Sequence, residues 1–227
     1  MEVIVPFSTE RPKSRLSDVL GPDERAAFAR AMLRDVVDAI DEAGGEPRVL
    51  ATGPVAGDLD RPVTIDDRPL TTAVNAALDE RLTGAGGTEA PDTNVSHSVA
   101  IAMADLALAT PAVLRELLAA GSDADVAIAP GRGGGTNALV VSHPAFRVDY
   151  HGASYLDHRR IADGLGADVR VVDSHRLATD VDEPSDLAEL LIHDEADEGT
   201  ETRAARWLRE AGFELDATGG RVGVVRE

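Results

Sequence analysis

The chain has 227 residues, with 41 acidic side chains against 22 basic ones and a formal net charge of −19. A length of this order suits one large domain with a sizeable core, while the charge excludes a broad surface for nucleic acid or anionic membrane, because the summed field repels both. Without cysteine there is neither a disulfide frame nor a thiolate metal site, and no apolar run reaches membrane-spanning length, so a cytoplasmic protein is expected.

In chain order, residues 2–6 read as a short buried strand, followed by the basic loop Pro12-Lys13-Ser14-Arg15-Leu16-Ser17. Residues 23–43 place Ala26, Phe28, Ala29, Met32, Leu33, Val36, Val37 and Ile40 at helical spacing, and Gly44-Gly45 ends that helix. Strands follow at 47–52 and 63–65, then a helix at 70–82. Residues 84–96, rich in Gly, Thr, Asp and Pro, read as an exposed loop within one domain. An apolar run over 97–104 ends in Asp105. A helix over 111–120 starts at Pro111. A strand covers 125–129, and the glycine-rich turn 131–135 leads into a strand over 137–142. Then come a helix at 154–164, a strand at 168–172, a helix at 184–192 and an acidic, solvated stretch at 194–201. A last amphipathic helix spans about 202–211, with Trp207 and Leu208 on its apolar side. This alternation predicts a single α/β domain over 1–227, a mostly parallel sheet flanked by helices. In such sheets ligands gather at the carboxyl ends of the strands.

Five segments carry candidate chemistry. Lysine occurs once, at Lys13, against 21 arginines. A chain that has nearly discarded lysine gives little reason to keep one on a solvated loop, so Lys13 and Arg15, between a strand and a helix, read as a seat for a phosphate chain. Asp105, past a buried strand, reads as a Mg²⁺ ligand or as a helix cap. In Asp180-Val181-Asp182-Glu183-Pro184-Ser185-Asp186 the alternation puts Asp180 and Asp182 on one side of an extended segment, where with Asp105 they would hold a metal. Pro184 starts a helix there and Asp186 belongs to its first turn. Gly131-Arg132-Gly133-Gly134-Gly135-Thr136-Asn137 offers backbone N–H groups and a guanidinium to an anion, or is a flexible loop. Ser154, after His151-Gly152, stands at a helix start that would attract phosphate or is an ordinary cap. His158 reads as a partly buried helix residue. Asp66, Asp67 and Asn75 lie where a base pocket would form.

As a set, Pro12-Lys13-Ser14-Arg15-Leu16, Ala104-Asp105-Leu106, Gly134-Gly135-Thr136-Asn137-Ala138-Leu139, Gly152-Ala153-Ser154 and Asp180 to Leu187 resemble the 2-phospho-L-lactate guanylyltransferase family of coenzyme F(420) biosynthesis, over about residues 2–192. The resemblance implies a GT-A-like, Rossmann-like nucleotidyltransferase fold. It implies condensation of 2-phospho-L-lactate with GTP to lactyl-diphospho-guanosine and pyrophosphate. It also implies Lys13 and Arg15 on the triphosphate, Mg²⁺ on Asp105 and the Asp180/Asp182 pair, and Thr136, Ser154 and the nearby glycine on the phosphorylated acid. Two positions depart from the family pattern. Ser8 stands where a lysine is frequent, and His151 stands where a glycine is frequent three residues before the serine. A phosphate monoester, with a second pKa near ~6, is ionised at neutral pH and needs no catalytic base. The task left to the protein is to bring two anions together, with Mg²⁺, Lys13, Arg15 and Arg132 neutralising charge.

Two other readings stay open on sequence. One is nucleotidyl transfer to another acceptor, such as phosphoenolpyruvate, 3-phosphoglycerate, a sugar phosphate or molybdopterin. The other is a non-catalytic GTP-binding subunit, against which Asp105 together with Asp182 argues. A homodimer is also left open. The scarcity of lysine beside abundant acid fits a salt-in halophile, whose cytoplasm screens acidic self-repulsion; the plainer alternative is an ordinary acidic cytosolic protein.

Overall fold

The computed structural model describes residues 1–10, 12–57, 59–82, 98–197, 199 and 201–226. Its centre is a seven-stranded sheet in the order β3-β2-β1-β4-β6-β5-β7. The strands are β1 (Glu2–Phe7), β2 (Glu46–Ala51), β3 (Val63–Ile65), β4 (Val99–Ala102), β5 (Val126–Pro130), β6 (Thr136–Val141) and β7 (Val169–Val171). All neighbours are parallel except β6, which runs against both β4 and β5.

The central strands are apolar on both faces because helices cover both. Val3, Val5 and Phe7 of β1 enter one core layer, with α1 (Pro22–Glu42), α3 (Pro111–Ser122), the short α5 (His175–Ala178), α6 (Pro184–Ala196) and α7 (Arg203–Glu210). Ile4, pointing the other way, joins α2 (Leu70–Leu82) and α4 (Ser154–Leu165). Leu, Ile, Val and Ala dominate both layers, as the 3% aromatic content requires. The N–H of Gly21 donates to the Glu24 carboxylate at 2.7 Å and Pro22 opens the helix, so α1 begins where its first-turn donors are met or absent.

Most element boundaries fall within two residues of the sequence reading. Three differences have physical causes. The helix read as 184–192 runs on to Ala196, because Leu190 and Leu191 are anchored in the core and hold the following acidic turn helical. The apolar run before Asp105 forms ladder only over Val99–Ala102; the chain turns at Ala104 and Asp105, so Asp105 stands in that turn. A two-stranded antiparallel sheet, β8 (Phe213–Asp216) and β9 (Gly223–Arg226), was not anticipated, because both strands are short and mostly half-exposed and lack a clean alternation. It belongs to the main core through Phe213, while Trp207 of α7 packs on Phe28 of α1 with ring centroids 5.3 Å apart. The glycine-rich stretch 84–96 lies outside the described residues. Among the described residues, no helix is long and apolar enough to cross a membrane.

Packing is close where α3 crosses β6. A Cβ on Gly121 would lie 2.3 Å from Val140 Cγ1 and 2.4 Å from its Cβ. Gly121→Ala is therefore expected to force the helix off the sheet, at ~1–3 kcal/mol, and to lower Tm by roughly 3–10 °C in a calorimetric scan. An unchanged Tm would mean that α3 slides at no cost.

The topology gathers the candidate residues. Six strands run one way, so the segments after β1, β3, β4, β5 and β7 leave the sheet at one edge. β6 runs the other way and enters at that edge, which places Thr136 and Asn137 beside the exits of its neighbours.

Candidate active site

Lys13 takes the left-handed conformation, φ 55°, at the head of the 3-10 turn Ser14–Leu16. A side chain there is disfavoured relative to glycine, so the strain must be held by the surroundings. What holds it is a pair of ion pairs: Lys13 Nζ donates to Asp105 Oδ2 at 2.7 Å and to Asp182 Oδ1 at 2.6 Å. The lysine side chain is only 8% exposed. Burial opposes its charge, but the two carboxylates outweigh burial and hold its pKa above the ordinary lysine value. Arg15 is largely exposed and reaches Asp182 Oδ2 only at 3.4 Å.

One backbone bond joins the turn holding Asp105 to the segment holding the other two acids: Val181 N–H donates to the Asp105 carbonyl at 3.1 Å. The side chains of Asp105, Asp180 and Asp182 then bring one oxygen each to within 4.8 Å of one another. Burial first, then the charges of Asp105 and Asp182, push the Asp180 pKa above the usual carboxylate range. Asp105 and Asp182 share one buried ammonium, with Asp180 beside them. Asp105 Oδ1 is buried with no hydrogen-bond partner, a state that costs free energy unless a cation or donor meets it. An all-oxygen donor set with an orphaned oxygen fits a hard divalent cation.

The rest of the edge supports this cluster. Asn137 Nδ2 donates to the Leu177 carbonyl at 3.0 Å and to Asp180 Oδ1 at 3.3 Å. Asp186 Oδ2 accepts from the N–H groups of Asp182 (3.0 Å) and Glu183 (2.8 Å), capping α6, while its Oδ1 takes Arg132 Nη2 at 2.5 Å. Arg132 thereby ties the glycine turn to the acid-bearing loop, and its N–H donates to the Ala178 carbonyl. In that turn Gly131 cannot carry a Cβ, which would meet Asn137 Oδ1 at 2.6 Å, and Gly134 sits at φ +83°. Tyr155 N–H donates to the Gly134 carbonyl, docking the turn on α4, with Gly135 between it and Thr136.

The strand pleat splits the edge into two halves. Asn137 faces the acids. Its neighbour Thr136 faces α4, where its N–H donates to Ser154 Oγ at 2.9 Å. Gly152 (φ +45°) leads into that helix, and His151 before it is exposed and paired with Asp149, which raises its pKa through their hydrogen bond.

Two candidates for a base pocket are already engaged. Asp66 is gripped by Arg68, at 2.5 Å from Nη2, and the hydrogen bond from that arginine lowers its pKa. Both ends of the Asn75 amide latch α2 to the chain at Val148, donating to its carbonyl (2.9 Å) and accepting its N–H (2.8 Å). Asp67 is exposed beside them. A cleft of ≈ 270 Å³ opens over Lys13, Asp105 and Asp182, with Ser8, Phe7 and Met103 on its walls.

Over residues 1–226 the chain matches the family described as guanylyl transferase CofC like, so the likeness extends past residue 192 through the C-terminal hairpin. It is 75% identical over 227 residues to the 2-phospho-L-lactate guanylyltransferase of Halorubrum lacusprofundi, covering 100% of each chain. It is 58% identical over 236 residues to that of Haloterrigena turkmenica, covering 100% of this chain and 97% of the relative. Among solved structures its fold is similar to that of a protein from Desulfovibrio desulfuricans G20 described as a candidate nucleotide-diphospho-sugar transferase, with TM-score 0.73 and 16% identity over 92% of this chain and 94% of that one. The two named relatives come from halophilic archaea, in keeping with the acid-rich, lysine-poor composition.

Proposed function

We infer that this chain, which belongs to the CofC-like guanylyl transferase family, is a 2-phospho-L-lactate guanylyltransferase, joining 2-phospho-L-lactate to the guanylyl group of GTP with release of pyrophosphate. A phosphate oxygen of the acid forms the new bond to the α-phosphorus. The bond from that phosphorus to the bridging oxygen breaks, and the electron pair leaves with pyrophosphate. The acceptor is already ionised at neutral pH, so no side chain need take its proton.

The structural observation that supports the chemistry is the half-buried cluster of three carboxylates beside one buried ammonium, with an unpartnered Asp105 oxygen. Identity over the full chain with the haloarchaeal relatives supports the choice of acid and base. Held by Asp105, Asp180 and Asp182, Mg²⁺ would supply neutralisation of the triphosphate and alignment for in-line displacement. Lys13 and Arg15 are assigned to the triphosphate, where they supply local positive charge within a chain of net charge −19. Thr136, Ser154 and the backbone of Gly134, Gly135 and Gly152 are assigned to the acid. Arg132, held by Asp186, keeps the glycine turn in place for it. Asp66 is assigned to the base side together with its partner Arg68, and Asn75, whose amide is spent on Val148, to the scaffold.

The test is pyrophosphate release at high KCl with GTP, ATP or CTP against phospholactate, phosphoenolpyruvate and 3-phosphoglycerate, with products weighed by mass spectrometry. GTP with phospholactate is expected to give the highest kcat/KM. No guanylyl product with any three-carbon acid would remove the proposal, and preference for another acid would reassign the acceptor alone.

A further inference from the structure

His158 lies on α4 one turn after Ser154, on the same helix face, and is fully buried. Its Nε2 faces the N–H of Asp149 at 2.9 Å, and its Nδ1 faces Thr136 Oγ1 at 2.8 Å. A backbone N–H can only donate, so Nε2 must accept and carry no hydrogen. The neutral ring then carries its hydrogen on Nδ1 and donates it to Thr136. Thr136 Oγ1 is thereby an acceptor toward the protein, and its own hydrogen must point elsewhere. Ser154 Oγ is set the same way, because it accepts the Thr136 N–H. Among the described residues neither hydroxyl has a second partner. Two hydroxyls at the assigned acid site thus each accept one hydrogen bond from the protein and each keep an O–H to donate, the polarity that suits an anionic phosphate.

We propose that His158 is a positioning residue: by donating from Nδ1 it fixes the Thr136 hydroxyl as a donor toward the phosphate of the acceptor acid. The inference deepens the guanylyltransferase reading and rests on it for the identity of the ligand.

The surroundings keep the ring in that form. Tyr150 stands edge-on to it at 5.3 Å between centroids, and Phe146 lies at 6.0 Å. Burial lowers its pKa to about 4, although the carboxylates of Asp149 and Asp157 pull the other way. Asp149 also faces His151. A proton added at Nε2 would confront the Asp149 N–H. The folded state therefore favours the neutral ring, and this contribution to stability is complete above about 6.5 and is lost as pH falls toward about 4.

Two conservative variants separate the ring's two bonds. His158→Asn places an amide N–H near the Nδ1 position, keeping the donor to Thr136 and giving up the acceptor for Asp149. His158→Gln places an amide oxygen near the Nε2 position, keeping that acceptor and giving up the donor. The expected result is that His158→Gln raises KM for the acid by roughly tenfold or more with KM for GTP within about twofold, while His158→Asn stays within about threefold for both. Unchanged acid KM in His158→Gln, or equal rises for acid and GTP in both variants, would overturn the proposal. Nitrogen-15 NMR of the ring in the wild-type protein reads the tautomer without any substrate. Hydrogen on Nδ1 from pH 6 to 8 is expected, and hydrogen on Nε2 would overturn the proposal even if both variants misfold. Wild-type inactivity on phospholactate would instead strike the functional reading and leave the tautomer result standing.

Discussion

Asp105→Asn is expected to lower kcat/KM by about 10³-fold, a loss of ~4 kcal/mol of transition-state stabilisation, while Tm of the metal-free protein moves by no more than about 3 °C. The two halves of this expectation have one origin. Asp105 is a member of a cluster of three carboxylates, two of which meet one buried ammonium, and its Oδ1 is buried without a partner. Such an arrangement is poor for the resting fold: like charges are crowded, and one oxygen is desolvated for nothing. Replacing the carboxylate by an amide of the same shape removes a repelling charge and leaves Lys13 its second ion pair, to Asp182 at 2.6 Å. The fold loses little, and the site loses the charge that a divalent cation and a triphosphate require. Titration calorimetry with Mg²⁺ and a non-hydrolysable GTP analogue reads the binding defect apart from turnover. A variant with normal turnover would refute the metal assignment. One that unfolds well below the wild type would show that Asp105 is there for the scaffold.

The sequence marked out individual residues better than it marked out what they touch. Lys13 was conspicuous by its rarity, and its place after the first strand follows from the apolar run of 2–6. Its contacts were hidden, because Asp105 and Asp182 lie 92 and 169 residues away and meet it only through sheet order. The left-handed backbone at Lys13 carried no local signal either, since glycine or asparagine would be the residue to expect there. Alternation placed Asp180 and Asp182 together, but not the Val181 bond that fastens them to Asp105. Asn75 lies in sequence where a base pocket would form, but its bonds to Val148, 73 residues away, carry no local signal. In sequence His158 reads as a partly buried helix residue. It is fully buried, and the Asp149 N–H at Nε2 is what places its proton on Nδ1. The spacing of four from Ser154 was the readable hint, but Thr136, 22 residues away across the sheet edge, was not within reach of helical periodicity.

Lys13→Met reverses the balance that Asp105→Asn relaxes. Three carboxylates then stand together without that ammonium, and among the described residues Arg15 remains near, at 3.4 Å from Asp182 and largely exposed. Breaking a buried ion pair from one side costs about 3–5 kcal/mol because the other charge is left uncompensated, and here two carboxylates lose their partner at once. The metal-free variant is therefore expected to unfold roughly 6–15 °C below the wild type, and millimolar Mg²⁺ to restore more of its Tm than it adds to the wild type. Turnover is expected to fall by ~10²–10³-fold even at saturating Mg²⁺, since the cation replaces the ammonium between the carboxylates but not its charge toward the triphosphate. Lys13→Gly isolates the backbone: it relieves the left-handed strain at φ 55° and should recover ~1 kcal/mol relative to the methionine variant, with no recovery of activity. The ammonium would then be doing two jobs, holding the carboxylates together without a metal and meeting the triphosphate when one is bound. If Mg²⁺ restored full turnover to Lys13→Met, the second job would not belong to Lys13, and among the described residues the triphosphate assignment would pass to Arg15.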